Sequence, residues 1–255
     1  MDRNNDMRKI TVATVCYNSA DTIEKTIISV LEQTYEEIEY LIIDGASCDN
    51  TLEIIRKYSD DSRMTVISEP DKGLYDAMNK AAKHATGDYI LYMNSGDIFA
   101  GKNAVMSVSD FLNGENEMVY GNVIRIKKSG RILEKYGSRY TPMFLLLQGR
   151  MMCHQSIFTR CDIMREYGFD ERYSITADYD FLMRMVRDKR RLRYVDVTVS
   201  IVDNVEGISS TVTNMDEMRR QDDMSLKHSF PVWYYTLKLP KEMVRIVRRK
   251  SERVS

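Results

Sequence analysis

The sequence predicts an α/β chain: a mostly parallel sheet with helices on both faces, continued by an α+β second half. Three observations carry this. Residues 9–97 alternate short β-branched or apolar runs with amphipathic ones in the order β-α-β-α-β-α-β, with short polar turns between them. The run Asp88–Met93 is apolar or aromatic without alternation, as in a strand buried on both faces, and it stops at the polar turn Asn94-Ser95-Gly96-Asp97. After about residue 100 the alternation gives way to a hairpin pattern and isolated helices, with no Pro/Gly-rich linker, so one continuous domain is expected.

In chain order, Lys9–Cys16 (KITVATVC) reads as the first strand. Ser19 or Asp21 can cap the helix that follows, with Glu24 completing a capping box, and Ile23, Ile27, Val30 and Leu31 recur at helical spacing. Glu39–Asp44 (EYLIID) is a second buried strand ending in a carboxylate. Asp49 can cap a helix carrying Leu52, Ile55 and Tyr58. Met64–Ser68 is a third strand. Gly73–Ala85 is a third helix, with Leu74, Ala77, Met78 and Ala81 on one face and Gly87 just past its end. Beyond the Asp88–Met93 strand, Val105, Val108 and Leu112 suggest a helix. Met118–Ile126 and Arg131–Tyr136 flank a Lys127–Gly130 turn. A short apolar helix is expected around Phe144–Leu147, an amphipathic one over Asp178–Val186, and a late strand over Arg193–Val202.

Composition excludes several classes. In 255 residues, 37 Lys and Arg nearly balance 38 Asp and Glu, so a bulk polycation for nucleic acid is excluded and no nucleic-acid partner is expected. The four cysteines are not spaced as a zinc module, His is scarce, and a reducing compartment follows. The amino-terminal Met-Asp-Arg-Asn-Asn-Asp lacks the apolar core of a signal peptide. The longest apolar runs fall far short of the ~18 residues that span a bilayer. A cytoplasmic location is expected. From Leu237 to Ser255 seven basic residues stand against two acidic ones, at spacings that allow a basic amphipathic helix and peripheral contact with the inner face of a membrane.

In an open α/β sheet, ligands sit outside the carboxyl ends of the strands. No Gly-x-Gly-x-x-Gly follows the first strand and no Gly-Lys-Ser/Thr loop is present, so phosphates must be held by other means. A divalent metal at Asp97, the carboxylate at the tip of the fourth strand, is the economical choice. The bland reading of Asp97, Asp44 and Asp71-Lys72 is as turn and cap residues. Tyr17 can equally pack at a strand end, and His154 can be a satisfied, partly buried histidine. Asp178 and Asp180, two apart on a helix, point about 200° apart, so only one of them is expected in a site.

Thr14–Asn18 (TVCYN), Asp44–Asp49 (DGASCD), Glu69–Lys80 (EPDKGLYDAMNK), Asn94–Asp97, His154-Gln155 and Ala177–Arg184 (ADYDFLMR) occur in this order. Together they resemble the inverting family-2 glycosyltransferases of the Rossmann-like GT-A fold, and are most similar to bacterial surface-polysaccharide (colanic-acid-type) enzymes. The resemblance covers residues 9–112 and 150–210 and is absent from the tail. It implies a nucleoside-diphosphate-sugar donor, Mn²⁺ or Mg²⁺, a glycan or lipid-linked acceptor, and a single displacement at the anomeric carbon. It places Tyr17, Asp44, Asp71, Lys72 and Asn94 on the donor side and Asp97 at the metal-bound diphosphate. It makes Asp178 the general base, with Asp180 left to a structural bond. The family turn is Asp-x-Asp-Asp, whereas here only the fourth position keeps its charge. Either the metal shifts to Asp97, with His154 as a second ligand, or metal dependence is weakened; the shift is the reading taken. The implied organisation is a disordered segment or short arm over 1–8, a donor half over 9–112, an acceptor and base half over 113–213, and a helical extension over 214–255, with a homo-oligomer allowed. The competing functions are a sugar nucleotidyltransferase and a non-catalytic nucleotide- or glycan-binding module.

Overall fold

The computed structural model describes residues 7–127, 129–134, 152–203 and 212–238. The expected helix at Phe144–Leu147 and the basic tail beyond Lys238 lie outside these.

The first half forms as the periodicity predicts: β1 (Ile10–Cys16), α1 (Ile23–Leu31), β2 (Ile38–Asp44), α2 (Thr51–Arg56), β3 (Met64–Ser68), α3 (Leu74–His84) and β4 (Tyr89–Tyr92). The second half contributes β5 (Ile98–Phe99), α4 (Met106–Ser109), β6 (Met118–Lys127), β7 (Gly130–Glu134), a 3₁₀ turn (His154–Ser156), β8 (Ile157–Arg160), α5 (Cys161–Tyr167), α6 (Ala177–Arg187), β9 (Leu192–Asp203) and α7 (Val212–Ser229). The nine strands of the described residues join one sheet in the order β3-β2-β1-β4-β8-β6-β9-β5, with β7 beside β6. The β3-β2-β1-β4 portion is parallel. The antiparallel strand β8 joins β4 to β6, which itself runs parallel to β9. The strand order reverses between β1 and β4, so their carboxyl ends open a crevice there.

Two cores follow from the alternation of β1. Ile10 and Val12 face Ile23, Ile27 and Val30 of α1, Ile55 of α2 and Val108 of α4. Ala13 and Val15 face Ala77, Met78 and Ala81 of α3 and Phe181, Leu182 and Met185 of α6. Strands covered on both faces need apolar residues at successive positions, which is why the β1, β2 and β4 runs do not alternate with polar residues.

One local expectation is corrected, and some elements carry no expectation. α1 begins at Ile23 after Thr22 with no side-chain cap: the Ser19 carbonyl accepts from the N–H groups of Thr22 and Ile23 at 3.0 and 2.9 Å, while the Ser19 hydroxyl turns to the Tyr17 carbonyl. β5, β8 and α5 lack a sequence signal, because two- and four-residue strands and a seven-residue helix are too short for periodicity to declare.

Gly121 sits where β6 and β9 lose register: Tyr120 pairs with Tyr194, but Asn122 pairs with Thr198. A Cβ at Gly121 would lie 2.5 Å from the Val197 carbonyl oxygen and 2.7 Å from a Val199 methyl. Gly121→Ala is therefore expected to destabilise the fold by about 1–3 kcal/mol, read as a lowered urea midpoint with unchanged slope. An unchanged midpoint would show that the bulge relaxes without cost.

Candidate functional site

The crevice between β1 and β4 is built from backbone first. The β4 ladder runs into the turn, with the Met93 N–H donated to Ala13 and the Ser95 N–H to Val15. Gly96 takes φ +99°, a left-handed conformation that favours glycine. Thr26, fully buried on α1, pins both sides of this turn: its hydroxyl accepts from the Gly96 N–H at 3.0 Å and donates to the Asp97 carbonyl at 2.8 Å. Sequence reasoning missed Thr26, although a Thr among Ile23, Ile27 and Val30 on an apolar face was a usable signal.

On the β1–β2 side, Tyr17 projects from the end of β1 and is 60% exposed. Gly45, just after β2, backs onto it. A Cβ there would lie 3.3 Å from the Tyr17 ring and 2.4 Å from an Asp71 carboxylate oxygen. Tyr17, Gly45 and Asp71, far apart in sequence, thus meet. Asp71 also accepts from the Gly73 N–H at 2.9 Å, and Lys72 beside it is exposed. Asp44 is fully buried. Its carboxylate accepts from the Ser47 N–H and hydroxyl, the Ser68 hydroxyl at 2.7 Å and the Cys16 thiol at 3.7 Å. It shapes the Gly45–Cys48 turn from below. Burial first, and then the Asp44 charge, pushes the Cys16 thiol well above its ordinary value, so this thiol stays a donor.

On the β8 side the residues form two chains of hydrogen bonds. In the first, the Cys153 thiol donates to Gln155 Oε1 at 2.7 Å, and Gln155 Nε2 donates to Asp97 Oδ2 at 2.7 Å. Burial holds the Cys153 thiol protonated, pushed up to about 12, which fixes which end of the Gln155 amide faces Asp97. Asp97 is itself 6% exposed.

The second chain runs from the β4 turn to α6. Asn94 Nδ2 lies 3.0 Å from His154 Nε2, and His154 Nδ1 lies 3.2 Å from Asp178 Oδ2. The neutral tautomer with its proton on Nδ1 satisfies both contacts: Nδ1–H donates to the carboxylate, and Nε2 accepts from the Asn94 amide. Asn94 Oδ1 is left buried with no hydrogen-bond partner. Asp178 Oδ1 accepts from the Tyr179 N–H at 3.0 Å and faces the Tyr75 hydroxyl at 3.0 Å. That hydroxyl also lies 2.8 Å from the Ile175 carbonyl, so one proton serves two acceptors. Burial, then the charge of Asp178, raises Tyr75 well above the ordinary phenol range and keeps that proton in place. Asp180 points away from Asp178. It pairs with Arg184 Nε at 2.8 Å and accepts from the Ser225 hydroxyl at 2.8 Å. The two carboxylates therefore face different surroundings, as residues two apart on a helix must.

The structure thus brings Asn94, His154 and Asp178 into one chain, and Tyr17 and Asp71 onto one wall. Both nitrogens of His154 are engaged, one with Asn94 and one with Asp178. Among the described residues, no group of three or more His, Cys, Asp or Glu side chains forms a metal cluster. No helix of the described residues is long and apolar enough to cross a membrane.

The sequence pattern of "Glycosyl transferase family 2" matches residues 11–190. A "PGL/p-HBAD biosynthesis glycosyltransferase" from Mycobacterium bovis is 30% identical over 210 residues, covering 80% of each chain. Over 106 residues, 42% of each chain, the protein is 37% identical to the Escherichia coli "UDP-Glc:alpha-D-GlcNAc-diphosphoundecaprenol beta-1,3-glucosyltransferase WfgD". Among solved structures, S. aureus TarS 1-349 in complex with UDP-GlcNAc superposes with a TM-score of 0.70 at 19% identity, over 92% of this chain and 77% of that one. In another crystal structure of TarS 1-349 the chain spans 65% of its length. The Pyrobaculum calidifontis mannosyltransferase PcManGT, in complex with GDP-Man and Mn²⁺, gives 0.60 at 14% identity, over 95% and 80%. At these identities the structural likeness is one of fold.

Proposed function

The chain belongs to glycosyl transferase family 2, and from that membership we propose that it moves a sugar, with inversion, from a nucleoside diphosphate to a hydroxyl of a glycan or lipid-linked saccharide. The observation that carries the mechanism is the Asp178 carboxylate, held by the Tyr179 N–H and His154 and tied through His154 to Asn94 at the crevice. Inversion needs one displacement, with a base on the acceptor side and the leaving diphosphate on the other. In this reading Asp178 takes the acceptor proton at Oδ2, where among the described residues only His154 donates, leaving a lone pair for the acceptor. As the carboxylate loses its charge, the Tyr75 proton can settle on the Ile175 carbonyl. His154 acts by holding the carboxylate's aim. Tyr17, Asp44, Asp71 and Lys72 form the nucleoside side, with the Tyr17 ring offering a stacking face.

The competing nucleotidyltransferase reading needs a Gly-rich basic loop after β1 to grip a triphosphate. Here that place reads Tyr17-Asn18-Ser19-Ala20-Asp21. Residues 9–112 are assigned to the donor and 113–213 to the acceptor and base. A lipid-linked acceptor would bring the 214–255 extension, with its basic tail, to a membrane surface.

The turn fits a divalent cation in a limited way. Asp97 brings one carboxylate, and Asn94 Oδ1 is a hard oxygen that lacks a partner. Together with the nucleotide's own phosphate oxygens they would hold Mn²⁺ or Mg²⁺, His154 being engaged elsewhere. A cation bound there neutralises charge on the departing diphosphate. Two protein oxygens alone bind weakly, so the cation should arrive with the nucleotide.

The test is a thermal-shift panel of nucleoside diphosphates with and without Mn²⁺. Mn²⁺ alone should shift nothing. The correct nucleotide with Mn²⁺ at about 100 times its Kd should stabilise by about 2.7 kcal/mol, a rise of roughly 5–10 °C. Gly45→Ala, which drives a methyl into Asp71, should abolish that rise while leaving the unliganded melting point within about 2 °C. Absence of any nucleotide response would sink the proposal. Binding with neither donor hydrolysis nor transfer would replace it with a binding module.

A further inference from the structure

Helix α7 lies beyond the residues that match the family pattern, which end at 190. Its residue Gln221 is 2% exposed and uses both ends of its amide. Oε1 accepts from the N–H groups of Ile175 and Thr176 at 3.0 and 3.3 Å. Nε2 donates to the Ser174 hydroxyl at 3.0 Å and to Glu217 at 2.8 Å. Ser174–Thr176 is the segment that leads into α6, two residues before Asp178. The peptide unit joining Ile175 to Thr176 is gripped at both ends. Gln221 takes its N–H, and the Tyr75 hydroxyl lies 2.8 Å from its carbonyl. That hydroxyl is also the one that faces Asp178.

We propose that Gln221 is a positioning residue for the transfer reaction: by fixing the Ile175–Thr176 peptide it sets the Tyr75 hydroxyl and the Asp178 carboxylate in register for the acceptor. This rests on the assignment of Asp178 as base. The physical argument is one of accounting. N–H groups just ahead of a helix find no partner within it, and a buried N–H left unsatisfied forces the segment to move until it finds one. An apolar residue at 221 would bury α7 equally well but leave these N–H groups orphaned. Glutamine meets two N–H groups with one oxygen and keeps the segment immobile. Tilting that peptide moves the Ile175 carbonyl, and with it the balance of the single Tyr75 proton between carbonyl and carboxylate. Ser225, one turn further along α7, offers an internal control. Its hydroxyl bonds Asp180 at 2.8 Å, on the carboxylate that faces away from Asp178, and among the described residues it makes no hydrogen bond with Tyr75 or the 174–176 segment.

The experiment compares Gln221→Met, the double variant Gln221→Glu with Glu217→Gln, Ser225→Ala and Asp178→Asn in the full chain. It uses steady-state transfer to a hydroxyl acceptor, donor KM, nucleoside-diphosphate thermal shift and unliganded melting point. Gln221→Met should lower kcat about tenfold or more, since small misplacements of reacting groups cost on that scale, while donor KM and the nucleotide shift stay at wild-type values. Gln221→Glu, made together with Glu217→Gln so that an amide and not a second carboxylate faces it, keeps an acceptor for both N–H groups and should recover most of the lost kcat. Ser225→Ala should lower the melting point with kcat unchanged. Wild-type kcat in folded Gln221→Met overturns the proposal, and so does an equal loss of kcat in Ser225→Ala, which would make the effect one of helix docking. If Gln221→Met does not fold, that double variant decides: full retention of kcat supports the role, and a loss as large as that of Asp178→Asn overturns it. Transfer that persists in Asp178→Asn defeats the assignment of the base instead, independently of the Gln221 result.

Discussion

Asp178→Asn is expected to fold, to bind nucleoside diphosphate as the unaltered protein does, and to transfer sugar about 10²–10⁴-fold more slowly, the range set by losing a positioned base. The substituted carboxamide has the same shape: its oxygen can still accept from the Tyr179 N–H and the Tyr75 hydroxyl, and its NH2 then faces His154 Nδ1, which accepts once the ring proton moves to Nε2, so the local packing persists while the basic lone pair is lost. Asp180→Asn is the matched comparison. Asp180 is 2% exposed and its charge is paired with Arg184, whose guanidinium also donates to the carbonyls of Tyr167 and Gly168. Removing that charge leaves a half-buried Arg without its counterion, at a cost of roughly 3–5 kcal/mol. The two variants should therefore fail in opposite ways. One keeps its melting point and loses chemistry; the other loses melting point first. Reversed outcomes would exchange the roles of the two carboxylates. A wild-type rate in folded Asp178→Asn would remove the base from this site.

That contrast was legible in part. The 200° separation of residues two apart on a helix already required Asp178 and Asp180 to face different surroundings. The apolar face of α6, with Phe181, Leu182 and Met185, marked the side turned to the core. The four parallel strands were legible too, because burial on both faces writes continuous apolar runs such as Tyr89–Tyr92. The partners of each polar group were hidden. Nothing local in Cys153-His154-Gln155 says that the thiol supports the amide, that the amide meets Asp97, or that the imidazole bridges Asn94 to Asp178, because each contact spans a different strand crossing. Tyr75 sat inside the quoted Glu69–Lys80 segment without a role, since its partners Ile175 and Asp178 lie about a hundred residues away. Gln221 is the extreme case: it is a polar residue in a mostly polar helix, and only the fold shows it buried against the entry to α6. The glycines follow the same rule. Gly45 carries no reading of its own in the sequence, while the structure shows it as the place where Asp71 and the Tyr17 ring press on bare backbone.

Asp97→Asn is expected to cost about 10²–10³-fold in transfer, the scale seen when one fixed electrostatic partner of a developing charge is removed. Asp97 is the only charged side chain in the Asn94–Asp97 turn, so no neighbour in that turn replaces it. Burial strengthens the argument. With 6% of its surface exposed and Oδ2 taken by Gln155 at 2.7 Å, the carboxylate is held in place, and its charge is felt through less water than at an open surface. The neutral variant leaves the turn standing, because Thr26 grips its backbone through the Gly96 N–H and the Asp97 carbonyl and not through the carboxylate. A nucleoside diphosphate should therefore still shift the melting point of Asp97→Asn in the absence of metal, and the increment added by Mn²⁺ in the unaltered protein should vanish. A variant that keeps both the increment and the transfer rate would place the diphosphate away from the β4 turn. Loss of transfer with the increment intact would leave Asp97 acting on the sugar or on Gln155, and the pair of measurements separates these outcomes because Tyr17, Gly45 and Asp71, the residues that meet beyond β1 and β2, are untouched by the substitution.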